Sequence, residues 1–278
     1  MTVNMKIPFL YRKPQEICRE LSVEDNYHLS LTKHEFISYS MRVIENEMKS
    51  KGLSLRVASF DDIRPVERFI AKRYRSDLAT EVSAYDLFRF IEFGHGLVIE
   101  DNEKTLLGCL FEVGLDTIER TSYSVRLGID ESLNGKNIGQ LLTRYSALMA
   151  MRRGSKVKRG IIDFDNCANL YIQLNHVGWI VESFYYQIPE LGDCYNVVLP
   201  LTIEGLTCNK IDTEKTIEFV KNSKEGTDYR KIKFDDLDYV LKTYQETDFK
   251  IVAMLKAGLI GETHYLIALP AKTIGLEI

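Results

Sequence analysis

The sequence has no long apolar run. No stretch approaches the ~18 residues of a membrane-crossing helix, and Met1–Glu16 lacks an apolar centre long enough for a secretory signal. No membrane span is expected, and the chain reads as cytoplasmic. Nor does charge of one sign dominate. Thirty-six Lys and Arg stand against 40 Asp and Glu, a formal charge of −4, so no global positive field gathers nucleic acid or anionic lipid. Cysteine is sparse and odd in number: Cys18, Cys109, Cys167, Cys194 and Cys208 form no CxxC pair. That excludes a disulfide framework and a structural zinc site and fits a reducing compartment. The five histidines contain no HExxH pair, so no metal is expected. Neither G-x-S-x-G nor G-x-x-x-x-G-K-[ST] occurs, which leaves hydrolase and P-loop readings without a motif.

What is present is ordinary globular composition, 45% hydrophobic and 27% charged over 278 residues, enough chain for one domain with appendages or for two modest ones. Residues 1–52 read as an amino-terminal extension. It ends in a helix that Thr32 and Glu35 open as a capping box, with Phe36, Ile37, Ser40, Ile44 and Met48 on one face and a stop at Gly52. Leu53–Ala58 alternates as a strand, and a helix follows from Asp62, with Pro65 tolerated in its first turn. Ser83–Phe93 reads as a second helix. Leu97–Glu100 and Leu106–Val113 are strands joined by a short polar turn, hence antiparallel. Ser122–Ile129 continues the strands, with Tyr123, Val125, Leu127 and Ile129 on one face. An amphipathic helix then carries Ile138, Leu141, Leu142, Tyr145, Leu148 and Met149. Gly160–Phe164 is a strand, Leu170 to Leu174 a helix closing at Gly178, and Trp179–Gln187 and Tyr195–Leu201 are strands. The order over 53–202 is β-α-α-β-β-β-α-β-α-β-β, which predicts a mixed α/β (α+β) fold: a mostly antiparallel sheet with helices on both faces. Beyond 202 the order changes. Residues 211–222 and 234–246 read as helices and 250–259 and 264–269 as strands, a carboxy-terminal module or lid over 203–278.

One turn carries the strongest chemical signal. Ile129 ends a strand, and Asn134-Gly135-Lys136-Asn137-Ile138-Gly139 leads directly into a helix. Successive backbone N–H groups at such a turn, together with the positive end of the helix dipole, suit a pyrophosphate. Gly135 and Gly139 admit close approach, and Asn137 tolerates the left-handed conformation. The plainer alternative is a βα connection with glycine for geometry alone.

Over roughly residues 53–202, these features resemble the GCN5-related N-acetyltransferases, whose signature has the form V-x-P/D-x-x-R/Q-G-x-G-I/V-G before a helix. The resemblance rests on Ile129-Asp130-Glu131-Ser132-Leu133-Asn134-Gly135-Lys136-Asn137-Ile138-Gly139 and on the element order. Asn134 replaces the usual Arg or Gln, and Asn137 a glycine. The resemblance implies that the turn, with Gln140 and the preceding Leu127, Gly128 and Ile129, holds acetyl-coenzyme A or another acyl-coenzyme A. Asn166–Trp179 similarly resembles the family segment N-x-x-A-x-x-L-Y-x-x-x-G-F, which adds Asn166 to the implied cofactor residues. The family's proton-donating tyrosine position holds Leu174, while Tyr171 lies three residues earlier on much the same face. Tyr171 is therefore either a displaced proton donor to the departing thiolate or a half-buried packing aromatic.

The chemistry so implied is direct attack of a primary amine on the thioester, for which a group must accept a proton from the ammonium. Glu112 and Glu119 are the candidate acids, although alternation pairs Glu112 with Leu110 and allows it to face solvent. Tyr123 is a further candidate, with core packing the alternative. Arg152, Arg153, Lys156, Lys158 and Arg159, five basic residues in eight, read as solvated cations at a helix end or as a contact for an anion. His176 reads as a surface or cap residue. The expected partners are acyl-coenzyme A and an amine acceptor, with a homodimer also compatible. A long-chain acyltransferase, using coenzyme A or acyl carrier protein, and a non-catalytic coenzyme A sensor or protein-binding relative are the alternatives.

Overall fold

The computed structural model describes residues 31–74, 83–116, 120–188, 192–203, 206 and 211–274. Glu119, Cys18 and Cys208 lie outside them. The chain forms two compact units, which within the described residues are 31–158 and 159–274.

The first unit opens with α1 (Lys33–Ser50), whose Thr32 and Glu35 form the expected capping box. Phe36, Ile37, Met41, Ile44 and Met48 are buried, so Met41, rather than Ser40, completes the apolar face. Gly52, at φ 75°, turns the chain into β1 (Ser54–Val57). Helices α2 (Ile63–Tyr74) and α3 (Ala84–Phe93) follow, the latter opened by a capping box between Ser83 and Asp86. Strands β2 (Gly94–Glu100), β3 (Leu106–Asp116) and β4 (Thr121–Ile129) then form an antiparallel meander with β1 on its outer side. Val66, Ile70, Leu87, Val98, Cys109 and Phe111 close the core between these helices and the sheet. Burial holds the Cys109 thiol up at about 12.

Two departures from simple alternation matter for the site. In β3, Cys109, Leu110, Phe111 and Glu112 are all buried, so this strand is covered on both faces and a period of two gives no solvent side. In β4, the register passes from Arg126 opposite Phe111 to Ser124 opposite Glu112. Val125 is the extra residue of a bulge, which breaks the expected single face of Tyr123, Val125, Leu127 and Ile129.

Helix α4 (Ile138–Arg152) follows the turn and buries ten of its 15 residues, including the polar Thr143 and Ser146. It is therefore covered on more than the one stripe its hydrophobic spacing shows.

The chain enters the second unit within β5 (Val157–Asp163). Helix α5 (Cys167–Ile172) runs into a π turn, Gln173–Val177, capped by Gly178 at φ 87°. Strands β6 (Ile180–Ile188) and β7 (Gly192–Pro200) pair antiparallel, with β7 between β5 and β6. Helices α6 (Thr213–Asn222) and α7 (Leu237–Glu246) accompany a three-stranded antiparallel sheet of β8 (Arg230–Lys233), β10 (Tyr265–Pro270) and β9 (Phe249–Leu255), in that order. The sequence reading lacks β8, a strand of only four residues with three charges. The Asn175 amide donates to the Met254 carbonyl at 2.6 Å and accepts from the Met254 N–H at 2.9 Å, satisfying the backbone of β9 as a neighbouring strand would. The mixed α/β order, with mainly antiparallel pairing, is the one the sequence predicts.

Candidate functional site

The turn between β4 and α4 is built from local hydrogen bonds. Asp130 accepts from the Ser132 N–H at 3.0 Å and starts one turn of 3-10 helix, Glu131–Leu133. Those amide and hydroxyl donors hold the Asp130 carboxyl below its usual range. The chain then reverses through two left-handed residues, Gly135 at φ 76° and Asn137 at φ 62°. No atom lies within 4 Å of where a Cβ on Gly135 would stand, and on Gly139 a Cβ would meet only Ile129, at 3.8 Å. Gly135 thus serves the backbone conformation, and both glycines leave open space at the mouth of the turn.

Asn137 is the N-cap of α4, yet its side chain makes no capping hydrogen bond. The backbone N–H groups of Asn137, Ile138, Gly139 and Gln140 have no acceptor among the described residues. They are the donors that a helix start leaves unused, with Asn137 exposed, Gly139 and Gln140 half-exposed and Ile138 buried, next to the exposed Lys136. Arg73, near the end of α2, donates through Nε to the Ile129 carbonyl at 2.9 Å and stands 3.6 Å from Glu131. It brings a guanidinium to the base of the turn, a residue the sequence reading does not include because it lies 56 positions from its partner. Leu127, Gly128, Ile129, Asn134, Gly135, Lys136, Asn137, Ile138, Gly139 and Gln140 therefore share one strand-turn-helix in one unit. An anionic, phosphate-like group fits this donor set.

Asn166 and Tyr171 belong to the second unit. The Asn166 side chain accepts from the Asn169 N–H at 3.1 Å and caps α5, a structural task that occupies its oxygen. Tyr171 is half-buried, with the Lys256 ammonium 4.4 Å from its ring centroid and the His176 ring edge-on at 5.3 Å. Both contacts are to residues the sequence reading leaves unconnected to it. Leu174, at the family's tyrosine position, is fully buried.

Glu112 does not face solvent. It is 1% exposed and sits at the centre of a buried polar cluster. Its carboxylate accepts from Ser122 Oγ, from Ser146 Oγ at 2.5 Å and from Lys158 Nζ. Lys158 also donates to Ser146 Oγ at 2.5 Å, and His95 Nε2 lies 3.3 Å from the same hydroxyl. The β-ladder explains the assembly: His95 stands directly opposite Glu112 in β2, and the bulged β4 places Ser122 diagonally across from it. Lys158 is fully buried, so it is not one of the solvated cations its neighbours in sequence suggest. Burial lowers its pKa, against the pull of Glu112. Burial likewise lowers His95 to about 4, with Lys158 and Arg153 opposing its charge and Glu112 favouring it.

A cavity of about 520 Å³ adjoins this cluster, with His95, Glu112 and Ser122 in its wall and Arg120 and Arg153 also lining it. Ala150 lines it too, eleven residues along α4 from Gly139 and hence about 16 Å from the turn. Arg153 donates to the Gly94 carbonyl. Gly94 is required there, since a Cβ would come within 1.8 Å of the Glu112 carbonyl oxygen.

No protein-family model matches this sequence, and no curated protein matches it significantly. Solved structures do match. Spermidine N-acetyltransferase from Vibrio cholerae, in complex with CoA and spermine, is 14% identical with a TM-score of 0.44, covering 54% of this chain and 96% of its own. The NatC complex bound to Gag peptide and CoA gives 17% identity and a TM-score of 0.47 over 54% of this chain and 99% of its own. Ribosomal-protein-S5-alanine acetyltransferase from Vibrio fischeri gives 13% and 0.46 over 54% and 93%. Each likeness covers about half of this chain and nearly the whole of the other. Among the described residues, no helix is long and apolar enough to cross a membrane, and no group of three or more His, Cys, Asp or Glu could hold a metal ion.

Proposed function

We propose that the protein is an acyl-coenzyme A dependent N-acyltransferase that passes an acetyl group to a primary amine by direct attack. The observation that carries this reading is the turn into α4: two left-handed residues separated by one, four unused N–H donors at the start of a 15-residue helix, Lys136 next to them and Arg73 at the base of the turn. Convergent amides at a helix start favour a pyrophosphate through both hydrogen bonding and the helix dipole. Asn134 in place of the usual Arg or Gln is a shorter, uncharged side-chain donor, and the backbone donors stay in place.

When bound, acyl-coenzyme A supplies the activated thioester. The chain's own residues bind its phosphates at Asn137–Gln140 and keep the acyl donor aligned along β4. Tyr171 is the residue assigned to proton donation, with Lys256 against its ring face. Glu112 takes no proton-accepting part, since its oxygens are engaged by Lys158 and two serine hydroxyls, and the proton that the attacking amine gives up passes to bulk water.

The test is a thermal-shift titration with acetyl-coenzyme A, free coenzyme A and a long-chain acyl-coenzyme A, followed by thiol release with a panel of amines. A ligand at 100 times its Kd adds about 2.7 kcal/mol to stability. Saturable stabilisation with thiol release supports the enzyme. Stabilisation without release from any donor or amine turns the assignment to a coenzyme A-binding protein, a reading that the buried Leu174 at the family's tyrosine position favours. No stabilisation at millimolar ligand overturns both.

A further inference from the structure

The cavity about 16 Å along α4 from the turn is not used by the proposed reaction, and its walls are specific. Its 520 Å³ lies within the range of small-ligand pockets, about 300–1,000 Å³. Two guanidinium side chains line it. Arg153 spends one N–H on the Gly94 carbonyl, which fixes the side chain and leaves the rest of its donor fork available. Arg120 is held by its backbone, at φ 55° with its carbonyl accepting the Lys156 N–H at 2.7 Å. Neither guanidinium has a carboxylate partner among the described residues.

The one acid among the described lining residues, Glu112, is paired with Lys158 and bonded by two serine hydroxyls. The cavity therefore presents two uncompensated cations and no free anion among the described residues. Phe93 and Ala150 supply apolar wall. A guanidinium fork matches a carboxylate in geometry and charge, and the apolar wall matches a hydrocarbon body better than a bare inorganic ion.

We propose that this cavity binds a small organic carboxylate, its head group on Arg120 and Arg153 and its hydrocarbon part against Phe93 and Ala150. The site is separate from the turn at the start of α4, and the proposal does not depend on the acyltransferase reading.

Isothermal titration of the full chain, without coenzyme A, tests it with hexanoate, hexylamine and inorganic phosphate as probes. Saturable one-site binding of hexanoate is expected, with hexylamine silent and phosphate at least tenfold weaker. Arg153→Gln and Arg120→Gln should each weaken hexanoate at least tenfold. Arg120 is exposed, so its replacement leaves the core intact and keeps the test valid should R153Q fold poorly. Asn137→Val, at the turn, should leave hexanoate binding unchanged. Absence of hexanoate binding, equal binding of phosphate, or loss in N137V with none in R120Q would each overturn the proposal.

Discussion

Lys158 and Glu112 are 0% and 1% exposed, and the energetic consequence can be worked out before any measurement. Replacing Lys158 with Met keeps most of the side-chain volume and removes the ammonium. Glu112 is then a buried carboxylate with two hydroxyl donors and no counter-charge. Breaking one partner of a buried pair typically costs about 3–5 kcal/mol, whereas replacing both partners is often close to neutral. The single variant K158M is expected to lose that amount, and the double variant E112Q/K158M to regain most of it. A coupling of at least about 2 kcal/mol should result. The assay is urea denaturation at pH 7.5 followed by far-UV circular dichroism, with all four members of the cycle compared. A cost below about 1 kcal/mol for K158M would mean that Glu112 is solvated or protonated without its partner. A double variant as unstable as the sum of the singles would show no coupling, and either result refutes the buried-pair reasoning.

The remaining tests reach other parts of the molecule. His95 is held at about 4 against an ordinary 6.5, so the unfolded chain binds the proton first. The stabilisation of about 3 kcal/mol is complete above pH 6.5 and disappears as pH falls from 6.5 towards 4. Glu112, Lys158 and Arg153 are the charged groups facing it, and H95Q should flatten the stability profile in that window; parallel wild-type and variant profiles would remove His95 as the cause. At the turn, Asn137→Gly should keep coenzyme A affinity within about threefold, while Asn137→Val, a β-branched residue forced to φ 62°, should lose at least about tenfold. Equal affinities in a direct titration would show that the left-handed conformation does not position the donors. Tyr171→Phe should lower turnover at least about tenfold with KM for the acyl donor little changed, if the hydroxyl transfers a proton; unchanged turnover assigns the ring to packing against Lys256.

The order of elements from α1 to β7 was readable because each boundary carries its own local cause. Capping boxes at Thr32 and Ser83, the left-handed Gly52 and Gly178, and the polar turn after Glu100 all act within a few residues. The turn at Asn134–Gly139 was readable for the same reason. The cluster around Glu112 was not. It depends on β3 being covered on both faces, on one extra residue at Val125, and on a lysine 46 positions away. None of these leaves a mark at Glu112 itself, and alternation, the local rule applied there, allows a solvent side that β3 does not have. Lys158 was hidden by its company, since four neighbouring cations made one solvated group the simplest reading. The same holds for Asn175, whose amide satisfies a strand 79 residues away. Polar side chains with long-range partners are where local patterning ends.

Helix α4 connects the two candidate sites within its unit. Its first residues present the unused amides, Ser146 at its middle bonds Glu112 and Lys158, and Ala150 near its end lines the cavity. A helix of 15 residues transmits a displacement along its axis better than a bend, because sliding keeps its backbone hydrogen bonds intact. Any ligand that moved Glu112 or Arg153 would pull on α4 through Ser146 or through the chain that follows Arg152. The amides at Asn137–Gln140 would then shift along the line on which they meet an anion. Such coupling must be reciprocal, so saturation of the turn with coenzyme A would change hexanoate affinity by the same factor by which hexanoate changes coenzyme A affinity. Two sites that bind independently would give a factor of one in both directions, and unequal factors would mean that one probe was reporting on something other than binding.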